Sequence, residues 1–287
     1  MEWPEPGVLV GREKETESLR AAIRERAGLA IWGPADAGKT ALVRHVIGRL
    51  PKQAANGCIY AAVRGAPHDF LTSLLGQMHA RGDEFLAAKF RGETRGGCEF
   101  ARWAERQTSL RMRGLLYRAA EAGNFCLFLD DVANFSDAST RIVKELLWMR
   151  GTPVYLIARG WSEKELGRAA RLYWNDDLRL SLGPLALPAA RGLVEHCIRR
   201  YDLSRLNLDG FREGILRFSE RLPGAIVKMC AHAGAARYRI GERIQTRLLH
   251  IDYMMQFSYG RTQTGARAGA VPAAPPSSTG NAHGARR

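Results

Sequence analysis

Apolar residues follow two rhythms along this chain. Short uninterrupted apolar runs lie at Leu29–Trp32, 58–63, 125–129 and 154–158, and runs of this length read as strands buried on both faces. Residues 178–182 alternate apolar and polar, as a short edge strand does. Between the runs the spacing changes to that of helices. In 13–26, Leu19, Ala22 and Ile23 share one face, and 67–79 does the same through Phe70, Leu71, Leu74, Leu75 and Met78. Helices are also predicted over 41–50, 110–122, 139–150 and 162–171. Strands alternating with helices predict an α/β fold: a doubly wound, five-stranded parallel sheet flanked by helices. Residues 80–108 break the pattern with Gly82, Gly92, Gly96, Gly97 and mixed charges. They predict an insertion, mobile or loosely helical.

Gly183-Pro184 closes that unit, and only helical spacing follows, over 188–201, 208–218, 224–235 and 238–257. This predicts a small all-helical domain. In its last helix Ile240, Ile244, Leu248, Ile251 and Met255 would form an apolar stripe beside Arg239, Arg243 and Arg247. That basic strip is either an ordinary solvated face or a phosphate-contacting one. From Ser258 the chain is Gly, Ala, Pro, Ser and Thr with four arginines and no acid. Such a segment cannot bury enough apolar area to offset its ordering entropy, so disorder is expected. The expected organisation is therefore 1–183, 184–257 and a tail over 258–287.

Chemistry enters between the first strand and the helix after it. Gly33, Gly38, Lys39 and Thr40 satisfy G-x-x-x-x-G-K-[ST], the phosphate-binding loop of P-loop NTPases. Glycines let the backbone curl until successive N–H groups point inward, and the helix N-terminus adds partial positive charge. The candidate cradle is Gly33, Pro34, Ala35, Asp36, Ala37, Gly38, Lys39, Thr40 and Ala41. Lys39 would reach the β- and γ-phosphates, and the Thr40 hydroxyl would hold Mg²⁺. The run at 125–129 ends in Asp130-Asp131. The first acid at such a strand end anchors Mg²⁺ with the threonine, and a second can orient or deprotonate water. The bland alternative is an Asp-Asp turn after a core strand. Arg159 ends the strand expected beside this one, where a cation could stabilise charge in the transition state, or simply be a surface arginine. Arg168 and Arg171 are candidates to act on a neighbouring subunit's nucleotide.

Net charge modifies this picture. With 43 Lys and Arg against 29 Asp and Glu the chain carries +14, and +10 remains without the tail. Two readings stand: a nucleic-acid partner such as DNA, or an arginine-rich surface of biased composition. The five cysteines are scattered without a C-x-x-C pair, which suits a reducing cytoplasm and no metal centre. No apolar run approaches a membrane span, and the acidic N-terminus lacks a secretory core, so a cytoplasmic protein is expected.

Together these residues resemble the AAA+/STAND group of ATPases, in the style of origin-recognition-like and archaeal-type members. The likeness runs over about residues 8–235. It rests on Val8-Leu-Val-Gly-Arg-Glu13, the loop at 33–40, Asp130-Asp131, the strand ending at Arg159, Gly183-Pro184-Leu185 and Arg221-Leu-Pro-Gly-Ala-Ile226. It implies ATP and Mg²⁺ as cofactors, with the Gly11-Arg12-Glu13 segment near the adenine and Val10 among the binding residues, Arg159 as a nucleotide sensor and Pro223 packing on the base. Two departures matter: Arg221 stands where the group usually has Gly, and Asp131 where ring-forming relatives usually have Glu. Asp is one methylene shorter, and a shift of about 1 Å can cost a large factor in rate. The resemblance implies an ATP-binding, ATP-hydrolysing switch that changes self-assembly or affinity for a protein or DNA partner. The alternative is a scaffold holding nucleotide without turnover. No sensor repeats or effector segment are recognisable after residue 257, so the effector is expected elsewhere.

Overall fold

The computed structural model describes residues 9–62, 66–94, 99–122, 125–149, 152–160, 166, 172 and 178–262. Helix α1 (Glu13–Arg24) leads into strand β1 (Leu29–Trp32), helices α2 (Lys39–Ile47) and α3 (Lys52–Asn56), and strand β2 (Cys58–Ala62). Helices α4 (Pro67–Ala80), α5 (Glu84–Glu93), α6 (Phe100–Glu105) and α7 (Ser109–Glu121) precede β3 (Cys126–Asp130). Then come α8 (Asp137–Trp148), β4 (Val154–Ala158) and β5 (Arg179–Ser181). The five strands form one parallel sheet in the order β2-β3-β4-β1-β5, so the expected α/β architecture is present. Of the helix expected over 162–171, all but Leu166 lies outside the described residues.

Successive strand residues point to opposite faces, and both faces are covered. Ala30, Ile59, Leu127, Leu129, Leu156 and Ala158 pack with α4, α7 and α8. On the other face Ile31, Phe128, Tyr155 and Ile157 pack with α1 and α2. Phe128 stacks on Tyr155 with centroids 4.4 Å apart, and the Tyr155 hydroxyl donates to the Ala22 carbonyl at 3.1 Å. This two-sided burial is why the strands read as unbroken apolar runs.

Over its described residues the insertion is helical, as α5 and α6, with 95–98 outside the described residues. The Asp83 carboxylate accepts from the Leu86 N–H at 2.8 Å and caps α5. His79, Phe90, Phe100 and Trp103 then form a ring cluster, His79 stacking on Phe100 at 4.3 Å. Aromatic burial here outweighs the scattered glycines.

Past the sheet lie α9 (Leu187–Arg200), α10 (Phe211–Phe218) and α11 (Pro223–Ala233). Their core holds Leu193, Val194, Phe211, Ile215, Ile226 and Met229. The final helix begins later than the sequence periodicity suggests. Residues Arg239–Ile240 (β6) and Arg243–Ile244 (β7) form a small antiparallel hairpin, and α12 spans Thr246–Thr262. Gly241 turns the hairpin at φ +58°, a conformation glycine adopts without steric cost. The hairpin breaks the phase of the expected stripe. Ile244 and Leu249 are buried, whereas Ile240, Leu248, Ile251 and Met255 are exposed. Arg239 and Arg243 therefore do not share a helix face with Arg247. Helix α12 continues past Phe257, into the segment expected to be disordered; 263–287 lie outside the described residues.

Candidate nucleotide site

Residues Gly33–Thr40 link β1 to α2 at the C-terminal edge of the sheet, the place where parallel sheets bind ligands. Gly33 is needed for close approach: a Cβ there would lie 2.2 Å from the Leu182 carbonyl oxygen. Gly38 precedes α2 in the left-handed region at φ +89°, and among the described residues no side chain caps the helix N-terminus. The first-turn N–H groups are thus left for an anion. Lys39 curls over the loop, its Nζ donating to the Gly33 carbonyl at 2.7 Å and the Pro34 carbonyl at 2.8 Å. Burial pulls its pKa down to about 8, Asp130 partly opposing and Arg159 reinforcing the shift.

Asp130 ends β3 directly opposite. Its Oδ2 accepts from the Thr40 hydroxyl at 3.0 Å and from the Tyr60 hydroxyl, and its Oδ1 accepts from the Asp131 N–H at 2.8 Å. The neighbouring Asp131 adopts φ +58° and meets Arg159 at 3.5 Å. Arg159 follows β4, the strand paired with β3, so the loop, both acids and the arginine converge on one edge.

The helical unit reaches the same loop. A Cβ on Gly38 would stand 3.3 Å from Pro223 Cγ, and the Gly224 N–H donates to the Asp36 carbonyl at 2.8 Å. Asp36, left-handed at φ +64°, turns its carboxylate toward this unit. Lys228 Nζ lies 2.9 and 3.2 Å from its two oxygens, and the Tyr253 hydroxyl donates to Oδ2 at 2.8 Å. Arg12, 5% exposed, donates to the Ala37 carbonyl at 3.3 Å, to the Gly183 carbonyl and to Glu15 at 2.7 Å. It thereby ties the lead-in, the loop and the junction at Gly183 together. Val10 is half-buried against the core of the helical unit. Ala37 is fully buried, while Ala35 and Ala41 are not.

The sequence of residues 8–157 matches the AAA ATPase domain family. The chain belongs to this family. Among solved structures, the Walker-type ATPase PABY2304 of Pyrococcus abyssi is similar with a TM-score of 0.56 at 12% identity, over 89% of this chain and 75% of that one. The RuvB Holliday junction branch migration motor of Thermotoga maritima is similar with a TM-score of 0.48 at 12% identity, over 89% and 73%. At this identity the first of these likenesses speaks for the fold alone. No curated protein matches in sequence.

An AAA ATPase domain implies a nucleotide, typically with Mg²⁺, and the residues present fit both. The loop starts at Gly33, which packs too closely on the Leu182 carbonyl for a side chain, and ends at an uncapped helix N-terminus. Thr40 and Asp130 supply the hard oxygen donors that Mg²⁺ takes. Arg168 and Arg171 lie outside the described residues. Sequence reading gave Arg12 only as part of the segment implied to lie near the adenine, and it missed Tyr60, Lys228 and Tyr253. The one hint for Tyr60 is a hydroxyl-bearing ring in an otherwise apolar strand. Among the described residues no helix is long and apolar enough to cross a membrane.

Proposed function

We propose that this AAA ATPase domain is an ATP-hydrolysing switch of the STAND type. Nucleotide on the loop holds the helical lid against the sheet and changes self-assembly or affinity for a partner. One observation carries the reading: Thr40 and Asp130 meet 3.0 Å apart at the mouth of a loop that the lid touches through Pro223 and Gly224. Lys39 exchanges its two carbonyl partners for phosphate oxygens. Thr40 and Asp130 would hold Mg²⁺, which would neutralise part of the phosphate charge. Asp131 orients the attacking water, and Arg159 stabilises charge developing on the phosphate. The net charge of +14 supports DNA as the partner.

Phosphate release with and without DNA, across a salt series, tests this. ATP-dependent turnover lost in Lys39→Ala is expected, with DNA binding that weakens steeply as salt rises. An ATP response identical in wild type and Lys39→Ala overturns the switch, and salt-insensitive binding overturns the DNA role. A second reading, the non-hydrolysing scaffold, draws support from Asp131. It is short for a water-orienting acid and already paired with Arg159. Nucleotide that co-purifies without phosphate release would select that reading.

A further inference from the structure

Strand β2 is the sheet's outer strand among the described residues, paired with β3 alone. Its outer edge is nevertheless covered at one residue. Gln77 of α4 donates from Nε2 to the Tyr60 carbonyl at 2.7 Å and accepts from the Tyr60 N–H at 3.3 Å. One side-chain amide thus replaces a neighbouring strand at this position, and Tyr60 is fixed by its backbone. Tyr60 is in register with Phe128. Side chains alternate along a strand, so Asp130, two positions beyond Phe128, points to the same face. The half-buried Tyr60 ring lies along that face and brings its hydroxyl to Asp130 Oδ2.

We propose that Tyr60 is a positioning residue for the metal-anchoring carboxylate. Its hydroxyl fixes the rotation of Asp130 against Thr40 and so sets how strongly Mg²⁺ couples to nucleotide binding. This rests on the reading that Mg²⁺ and ATP bind this loop. The donor arrangement gives the reason. Asp130 Oδ1 is held by a backbone N–H, while Oδ2 is shared by two hydroxyls. When the Thr40 oxygen turns a lone pair to a metal, Tyr60 keeps a second hold on Oδ2 from another strand. Without it, that oxygen depends on the threonine that is itself committed to the metal. Groups that orient metal-site carboxylates act on metal affinity without touching the metal.

Tyr60→Phe removes the hydroxyl and retains the ring and the backbone contacts to Gln77. The test uses the full chain and a fluorescent ATP analogue, titrated first with chelator and then across a Mg²⁺ series. In Tyr60→Phe the metal-free affinity is expected to stay within about twofold of wild type, while the Mg²⁺ concentration for half-maximal tightening rises about tenfold. Gln77→Ala, which frees the Tyr60 backbone, is expected to shift the half-point in the same direction. It becomes the deciding variant if thermal melting shows that Tyr60→Phe does not fold. An unchanged Mg²⁺ half-point beside a metal-responsive wild type overturns the inference. So does a metal-free affinity that falls as far as the metal-bound one. If wild type binds no nucleotide with or without Mg²⁺, the proposed function itself fails and this inference fails with it.

Discussion

Tyr253→Phe deletes one hydroxyl and leaves its ring in place, so it isolates the grip between the helical unit and the phosphate loop. The hydroxyl donates to Asp36 Oδ2 at 2.8 Å, and the Asp36 side chain is only 12% exposed. Hydrogen bonds to charged groups are worth about 1.5–3 kcal/mol. The lower end applies, because Asp36 keeps two contacts to Lys228. We expect a loss of about 1.5 kcal/mol in urea denaturation. Lys228 is half exposed, and exposed ion pairs contribute about 0–1 kcal/mol, so Lys228→Ala is expected to cost less. Asp36→Asn supplies the control, since asparagine tolerates the left-handed backbone at this position. In that background the carboxylate charge is gone, and Tyr253→Phe is expected to cost about half as much. Faster protease cleavage at residues 183–186 is expected to accompany the loss. A Tyr253→Phe cost below about 0.3 kcal/mol, or an equal cost in both backgrounds, would refute the charge-assisted grip.

Two further outcomes follow from the same geometry. Lys39 in the free protein loses its proton near pH 8, and a triphosphate favours the ammonium form. Nucleotide affinity is therefore level below that pH and falls above it, by up to about tenfold per pH unit until the bound lysine also deprotonates. Lys39→Arg is expected to flatten the fall, because guanidinium does not titrate there; titrations across the range check both. Phe128 is fully buried and stacked on Tyr155, so Phe128→Ala is expected to cost about 3–5 kcal/mol by chemical denaturation, and a loss under about 1 kcal/mol would contradict the stacking.

Local sequence determined the strands, the loop and the acid pair. Leu29–Trp32, 125–129 and 154–158 are buried on both faces, and that burial leaves a signature in the residues themselves. The loop is equally legible, because Gly33 and Gly38 hold conformations or approaches that a side chain obstructs. Asp130 was identified from its place at a strand end, and it lies at hydrogen-bond distance from Thr40. Two local signals misled. Scattered glycines hid the aromatic cluster at His79, Phe90, Phe100 and Trp103. Helical spacing across 238–257 concealed the hairpin at Gly241, whose turn depends on one backbone dihedral rather than on periodicity.

Tertiary structure alone decided which distant residues share the loop. Tyr60 and Asp130 are seventy positions apart, Asp36 and Tyr253 more than two hundred. Nothing in the spacing of either pair records the contact. Strand order brings the first pair together, and docking of the helical unit brings the second. Motif and periodicity report what each residue needs from its chain neighbours; the partners of Asp36 and Tyr60 come from elements whose placement is set by how whole faces pack.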